Sequence, residues 1–264
     1  MIKLSVITPT FNNINKLKKN IASVSNQTFK NMEHVIVDNI SDDGTDKLVE
    51  DYRKRVQYPI VYIRERDNGI YNAMNKGVRA ARGEWIHILN SDDCYSSNKI
   101  LELLFSEDIG RYDVVASSIL VRDGKTNKIS SKWVPEYIKE INHYNFPHSG
   151  MVIKKKFYKV HGYYNEKYRI LSDSMFCMKN LPKADYKIIT KPLVVMLNSG
   201  VSNKFSFTKI YELIIFNLLY YKGPIRYKIK FIFLNLLRDL FLLFRILRNK
   251  FRKLIKLSGY FCIY

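Results

Sequence analysis

Cysteine is scarce: Cys94, Cys177 and Cys262 are the only three in 264 residues, odd in number, far apart and without CxxC spacing. That excludes a disulfide framework and a thiolate zinc site, and it predicts a reducing compartment. Acidic residues are also few, 24 against 44 Lys and Arg, and the formal charge of +20 draws the chain toward polyanions without choosing among nucleic acid, anionic lipid and phosphorylated substrates. No uncharged apolar run approaches the roughly 20 residues that span a bilayer. No HExxH motif or His/Cys cluster points to zinc. The glycine-rich phosphate cradle of a dinucleotide-dependent oxidoreductase is missing as well, because the first strand-to-helix turn reads Pro9-Thr10-Phe11-Asn12-Asn13. The N-terminus opens on a strand pattern, Ile2 to Thr8, with no basic n-region and apolar h-region, so no secretory signal is expected.

What is present is a chain that is 47% apolar, enough for one substantial core and a small appendage. After the first strand, Leu17, Ile21 and Val24 recur at helical spacing within Asn15 to Asn26. A strand at His34 to Asp38 follows, then a helix at Thr45 to Arg55, a strand at Ile60 to Arg64, a helix at Ile70 to Arg82 and a strand at Glu84 to Leu89. Such alternation predicts a mostly parallel sheet with right-handed crossovers. A helix between Ser96 and Phe105, a strand at Asp113 to Val121 and a turn at Asp123-Gly124-Lys125 come next. Ser130 to Gly162, richer in Trp, Tyr, His and Pro, reads as loops flanking a short strand.

From Lys204 the character changes. Residues 204 to 256 hold 13 Lys or Arg against only Glu212 and Asp239, interleaved with Leu, Ile, Phe and Tyr. An apolar helix is expected at about Thr208 to Tyr221, broken by Gly223-Pro224. Beyond it Ile229, Phe233, Leu236, Leu240, Leu243, Leu247, Phe251 and Leu254 recur at spacings of three and four, with Arg238, Arg245, Arg252 and Lys256 opposite. That pattern predicts a long basic amphipathic helix suited to an anionic membrane surface; the alternative is that the tail packs back on the core. The expected division is an α/β domain at 1–203 and a basic amphipathic helical membrane-surface module at 204–264.

Polar clusters fall at the ends of three expected strands. LSVIT runs into Pro9-Thr10-Phe11-Asn12-Asn13, HVIV into Asp38-Asn39-Ile40-Ser41-Asp42-Asp43-Gly44-Thr45, and WIHIL into Asn90-Ser91-Asp92-Asp93. In an open α/β sheet the ligand crevice lies outside the carboxyl ends of the strands, so acids there imply a pocket for a metal and a nucleotide. The runs SVITPTFNN, VDNISDDGT, RDNGIYNAMNKGVRAARGEWIHILNSDD and LSDSMF, collinear over about residues 1 to 200, resemble the family 2 glycosyltransferases of GT-A fold, especially bacterial members that build surface polysaccharide. The resemblance implies an α/β mixed sheet, mostly parallel with flanking helices, and inverting transfer from a nucleotide sugar.

Catalysis of that kind needs a cation at the departing diphosphate, and hard Mg²⁺ or Mn²⁺ takes one or two carboxylates plus phosphate oxygens. Asp92-Asp93 matches the family's DxD-like position, with Asn90 where a first Asp often stands. The resemblance makes Asp93 the metal ligand and places Asp92 nearer ribose or phosphate; alone, the pair could cap the helix beginning near Ser96. It also gives Asp38 the N3–H of uracil and sets the Thr8 and Pro9 backbone around the base. Asp67, in Asp67-Asn68-Gly69, could meet the base or ribose or simply form a turn. Asp42 and Asp43 read as turn and cap residues. Asn75 and Gly77 match a family helix motif in which a small residue permits close backbone approach, against the plainer reading of a solvated helix.

An inverting reaction requires a base on the face opposite the leaving group, hence on another segment. Asp173 stands where the family places its catalytic Asp, and the competing reading is a helix N-cap. His148 matches a His preceding the acceptor loop. The expected activity is transfer of a hexose or N-acetylhexosamine from a donor, UDP-linked by resemblance, to a hydroxyl of a lipid-linked saccharide at the cytoplasmic face of the plasma membrane. Two alternatives are a non-catalytic nucleotide-binding membrane adaptor and a basic nucleic-acid-binding protein. The latter is disfavoured, because acids line the strand ends while the bases concentrate in the tail, so no nucleic-acid partner is expected.

Overall fold

The computed structural model describes residues 1–124, 126–139, 143–198 and 206–220, with Phe233 and Leu237 as isolated positions. The expected basic helix over residues 229–256 and Cys262 lie outside the described residues.

Strands β1 (Leu4–Thr10) and β2 (Met32–Asp38) are buried along their whole length, which is why they read as continuous apolar runs. Their two-residue period sends Leu4, Val6, Met32 and Ile36 into one core, and Ile7, Val35 and Val37 into another on the opposite face. Helices α1 (Ile14–Ser25) and α2 (Thr45–Arg55) cover the first core, while α3 (Ile70–Ala80) covers the second. With β3 (Ile60–Arg64) and β4 (Trp85–Ile88) these strands run parallel in the order β3-β2-β1-β4. The predicted alternation is therefore observed to within two residues at each boundary.

The second half departs from expectation. Cys94–Tyr95 forms a short strand, β5, so the helix expected from Ser96 begins only at Ile100 as α4 (Ile100–Phe105). Strand β6 (Val114–Arg122) is followed by β7 (Ile129–Trp133), then by the separate hairpin of β8 (Glu136–Ile138) and β9 (His143–Asn145). A single 3-10 turn, His148–Gly150, leads into β10 (Met151–Lys154), which inserts antiparallel between β4 and β6. Helices α5 (Lys155–His161) and α6 (Ser172–Asn180) join the α3 face. Strand β11 (Tyr186–Leu197), which the sequence reading did not place, pairs parallel with β6 and antiparallel with β5. Its pattern is broken by Thr190-Lys191-Pro192, where the register shifts. Within the stretch read as loops around a short strand, β7 and β10 join the main sheet, while β8 and β9 form a small sheet of their own.

Helix α7 (Phe207–Tyr220) forms close to where it was expected. It packs on the α/β domain through Phe216, which clusters with Met175 and Met178 of α6. Helix α7 thus shares a side-chain cluster with α6 across the expected boundary between residues 203 and 204. Among the described residues no helix is long and apolar enough to cross a membrane.

Candidate active site

The topology puts the strand-end clusters side by side. β1 pairs with β2 on one side and with β4 on the other, so the chain's switch of direction across the sheet falls at β1, the point where open α/β sheets place their ligand crevice. The first two loops lock together: Asn12 N–H donates to the Ser41 hydroxyl at 2.9 Å, Asp42 N–H to the Asn12 side chain at 3.0 Å, and Ile14 N–H to Asp43 at 2.8 Å. Asp43 also accepts from the Thr45 backbone and hydroxyl, so it ties the first residues of α1 and α2 together, while the N-cap positions themselves are Asn13 and Gly44. Burial pushes its carboxyl up, but the bonds from Thr45 and Ile14 outweigh this and hold it below the ordinary carboxylate range. Asn12 and Ile40 sit at positive φ of 44° and 55°. For a β-branched residue such as Ile40 this is strained backbone, retained at the rim of the crevice.

Asp38 is wholly buried. One oxygen accepts from the Ser41 N–H and hydroxyl; the other accepts from the Tyr62 hydroxyl at 2.7 Å and lies 3.7 Å from Arg64. A carboxylate offers about four acceptor positions, so little of this one is left for a base. The Thr8 hydroxyl points into the core, donating to Leu89 O at 2.8 Å beside His34, and Pro9 is buried next to it in β1. Asp67 forms a turn ahead of α3, its Oδ1 accepting from Gly69 N–H at 2.9 Å while Asn39 holds its own N–H. At the crevice floor Thr10 Oγ1 and Asn90 Oδ1 are buried without a hydrogen-bond partner, an arrangement that suits a polar ligand over the ends of β1 and β4.

The two adjacent carboxylates differ. Asp93 is 1% exposed and accepts from the Ser149 hydroxyl at 3.1 Å and from Leu197 N–H at 3.3 Å. Burial, then the charge of Asp92, push its carboxyl up to about 7. Asp92 keeps a side chain 23% exposed, with Lys16 Nζ 3.5 Å away. Among the described residues no group of three or more His, Cys, Asp or Glu gathers to hold a metal. A hard cation that shares one carboxylate with substrate phosphates needs no such group, so the crevice fits Mg²⁺ or Mn²⁺ through Asp92. To serve as the ligand, Asp93 would have to shed Ser149 and turn outward, whereas the Asp92 side chain is already part-exposed.

Asp173 stands at the start of α6, accepting from the Tyr71 hydroxyl at 2.9 Å and from Ser174 N–H at 2.8 Å. The N-cap position is Leu171 rather than Asp173, so the competing cap reading loses its geometry. Tyr71 shares its single proton with Ile170 O at 2.7 Å. The 3-10 turn joins the two halves of the site: Ser149 reaches Asp93, and its neighbour His148 bonds the Tyr164 hydroxyl at 2.8 Å, with the Tyr164 ring 5.8 Å from Tyr71. His87, buried in β4, fixes that turn through Ser149 O at 2.9 Å. Burial drives the His148 imidazole down, partly opposed by the charge of Asp173. Asn75 pins the loop after α5 through Tyr164 O and Glu166, and a Cβ on Gly77 would meet Ile7 Cγ2 at 2.3 Å. Close approach, not a solvated helix, explains that pair.

Several contributors escaped the sequence reading: Asn20, Tyr62, Tyr71, His87, Ser149 and Glu166. Asn20 alone carried a signal, being a polar residue on the stripe of Leu17, Ile21 and Val24. Its amide donates to Asn90 O and Asp93 O, both at 3.0 Å.

Comparison with known proteins agrees with this architecture. The chain is 32% identical over 149 residues to the minor teichoic acid biosynthesis protein GgaB of Bacillus subtilis, covering 53% of this chain but 17% of GgaB. It is 32% identical over 132 residues to the GalNAc(5)-diNAcBac-PP-undecaprenol beta-1,3-glucosyltransferase of Campylobacter jejuni, covering 48% of this chain and 42% of that enzyme. Among solved structures, S. aureus TarS 1-349 in complex with UDP superposes with a TM-score of 0.64 at 20% identity, over 86% of this chain and 68% of that one. The mannosyltransferase PcManGT of Pyrobaculum calidifontis, in complex with GDP-Man and Mn2+, gives 0.60 at 17% identity, over 86% and 67%. These likenesses establish the GT-A fold. With residues 5–175 matching the model of glycosyl transferase family 2, across the crevice and as far as Asp173, the chain belongs to that family.

Proposed function

We propose that the protein transfers a hexose or N-acetylhexosamine from a UDP-linked donor to a hydroxyl of a lipid-linked saccharide in bacterial surface polysaccharide synthesis, with inversion at the anomeric carbon. The observation that carries this reading is the turn His148–Gly150, which ties the carboxylate pair on the donor side to the Tyr71–Asp173 pair across the crevice. The names of the relatives support it: one acts on a PP-undecaprenol saccharide and TarS is solved with UDP.

Asp92 would hold a Mg²⁺ or Mn²⁺, with Asp93 as the buried support that fixes its loop. When bound, the ion neutralises charge developing on the departing diphosphate. The backbone of Thr8 and Pro9 bounds the base, and Asp38 shapes its pocket by holding the Ser41 loop, with its remaining acceptor capacity on Oδ2 for a base N–H. Asp173 takes the proton from the attacking hydroxyl. Tyr71, by donating to Oδ1 of Asp173, orients that carboxylate and leaves Oδ2 for the acceptor.

Exposed side chains of α7, namely Phe207, Tyr211, Ile214 and Leu218 at spacings of four, three and four, form an apolar stripe. This stripe supports peripheral contact with an anionic membrane on the cytoplasmic face, where a lipid-linked acceptor would be met.

Thermal stabilisation by UDP-, GDP- and dTDP-sugars, with and without Mn²⁺, tests the donor. UDP-sugars should raise Tm only with the metal. A larger rise with GDP-sugars would overturn the choice of base, and no rise with any nucleotide would overturn the donor site.

A further inference from the structure

The side of α7 that faces the domain carries an acid at its centre. Glu212 is 2% exposed, and its carboxylate accepts three consecutive backbone N–H groups: Arg169 at 2.6 Å, Ile170 at 2.9 Å and Leu171 at 2.9 Å. These three residues are the turn that delivers the chain into α6, with Leu171 at the N-cap and Asp173 as the second helical residue. The turn is held from its other side too. Tyr71 donates to Ile170 O, and the Arg169 guanidinium donates to Asn68 O beside Gly69. The turn before α3 and the turn before α6 thus meet where the Arg169 side chain lies over Gly69.

A buried carboxylate with three charge-assisted bonds is a rigid anchor, because leaving those amides unpaired in the interior costs more than an ordinary hydrogen bond gains. Two of the bonds share one oxygen, so no neutral side chain of the same shape can replace all three. An amide would present an N–H to an N–H. The anchor bears directly on the Asp173 carboxylate, since the Tyr71 hydroxyl that bonds Ile170 O is the same one that bonds Asp173.

We propose that Glu212 is a positioning residue for the transfer reaction: by holding the turn Arg169–Leu171 it fixes the direction of the Asp173 carboxylate, and α7 is thereby a working part of the catalytic unit. The proposal rests on Asp173 acting as the base.

The test uses the full chain and a double-mutant cycle over Glu212→Gln and Asp173→Asn, with Glu212→Asp as the variant that keeps the charge. UDP affinity in Mn²⁺ is measured together with release of UDP from the sugar nucleotide that the thermal panel selects, UDP-N-acetylglucosamine first. Amide hydrogen exchange of residues 169–171, which needs no substrate, is followed in parallel. Glu212→Gln should lower kcat at least tenfold, leave UDP affinity within about twofold and speed exchange of the three amides. Glu212→Asp should recover part of both, and in the Asp173→Asn background Glu212→Gln should have little further effect. Parental kcat with slowly exchanging amides, equal losses of kcat and UDP affinity, or full additivity with Asp173→Asn would each overturn the proposal. Near-parental turnover in Asp173→Asn alone would instead overturn the assignment of the base. Should Glu212→Gln fail to fold, Glu212→Asp decides: faster exchange with reduced kcat sustains the proposal, and unchanged kcat overturns it.

Discussion

Asp92 and Asp93 are neighbours in sequence and opposites in environment. One is open to the crevice beside Lys16; the other is enclosed by Ser149 and Leu197. A ligand-holding carboxylate contributes affinity, whereas an enclosed one contributes shape. Asp92→Asn should therefore weaken UDP binding in Mn²⁺ by at least about tenfold with little change in Tm, while Asp93→Asn should shift Tm more than affinity. Calorimetry of both variants checks this, and the reverse pattern would return the metal to Asp93. Asp173→Asn keeps the shape of the side chain but removes its basicity, so turnover should fall by roughly 10² to 10⁴ with UDP affinity nearly unchanged. A parental rate would leave Asp173 as no more than a first-turn helix residue. These acids were legible because they sit at the ends of recognisable strands. Ser149, Tyr71 and Glu212 were not, since what makes each one matter is a partner between 41 and 102 residues away, from Glu212 and Leu171 at one end to Tyr71 and Asp173 at the other.

At the scale of elements, α3 lies against β1 and β2 so closely that Gly77 meets Ile7 and Val37. Gly77→Ala should overpack this contact, costing about 2 kcal/mol and lowering Tm by about 5 °C, despite the better helix propensity of Ala. A variant as stable as the parent would mean that the sheet yields there. The first half of the fold, β1 to β4 with its helices, was readable because each element is long enough to show its own period and is bounded by local turn chemistry. The second half was not. β5 is two residues long and β10 four, and neither carries a period. Their existence depends on β11 and on the gap between β4 and β6, which no local window contains.

For the whole molecule, two neutral histidines lie inside the fold. Burial pulls His34 down to about 3 and His87 to about 4, the latter partly opposed by its bond to Ser149 O. An unfolded histidine titrates near 6.5. Between that pH and about 4 the unfolded chain therefore binds protons that the native protein refuses, so stability present above pH 6.5 is lost as the pH falls. Asp93, raised to about 7, acts in the opposite sense and offsets part of the loss. Relative to the parent, His34→Gln should lose about 2 kcal/mol less stability between pH 7.5 and pH 5 in urea titrations. Equal losses would show that His34 charges within the fold. The apolar stripe on α7 makes a further demand. Replacing Tyr211 and Leu218 by Ser should weaken partition onto anionic vesicles at least about tenfold while preserving UDP binding, and undiminished partition would remove that stripe from the membrane reading. Finally, Leu197, whose N–H holds Asp93, comes 104 residues after it. The consequence concerns time. A ribosome that has delivered β1 to β4 has made the motif of the donor loop but not the strand that closes it, and that closure must draw together the ends of a long segment. A nascent chain short of Leu197 carries the carboxylate pair of that loop before the bond that encloses Asp93 can form.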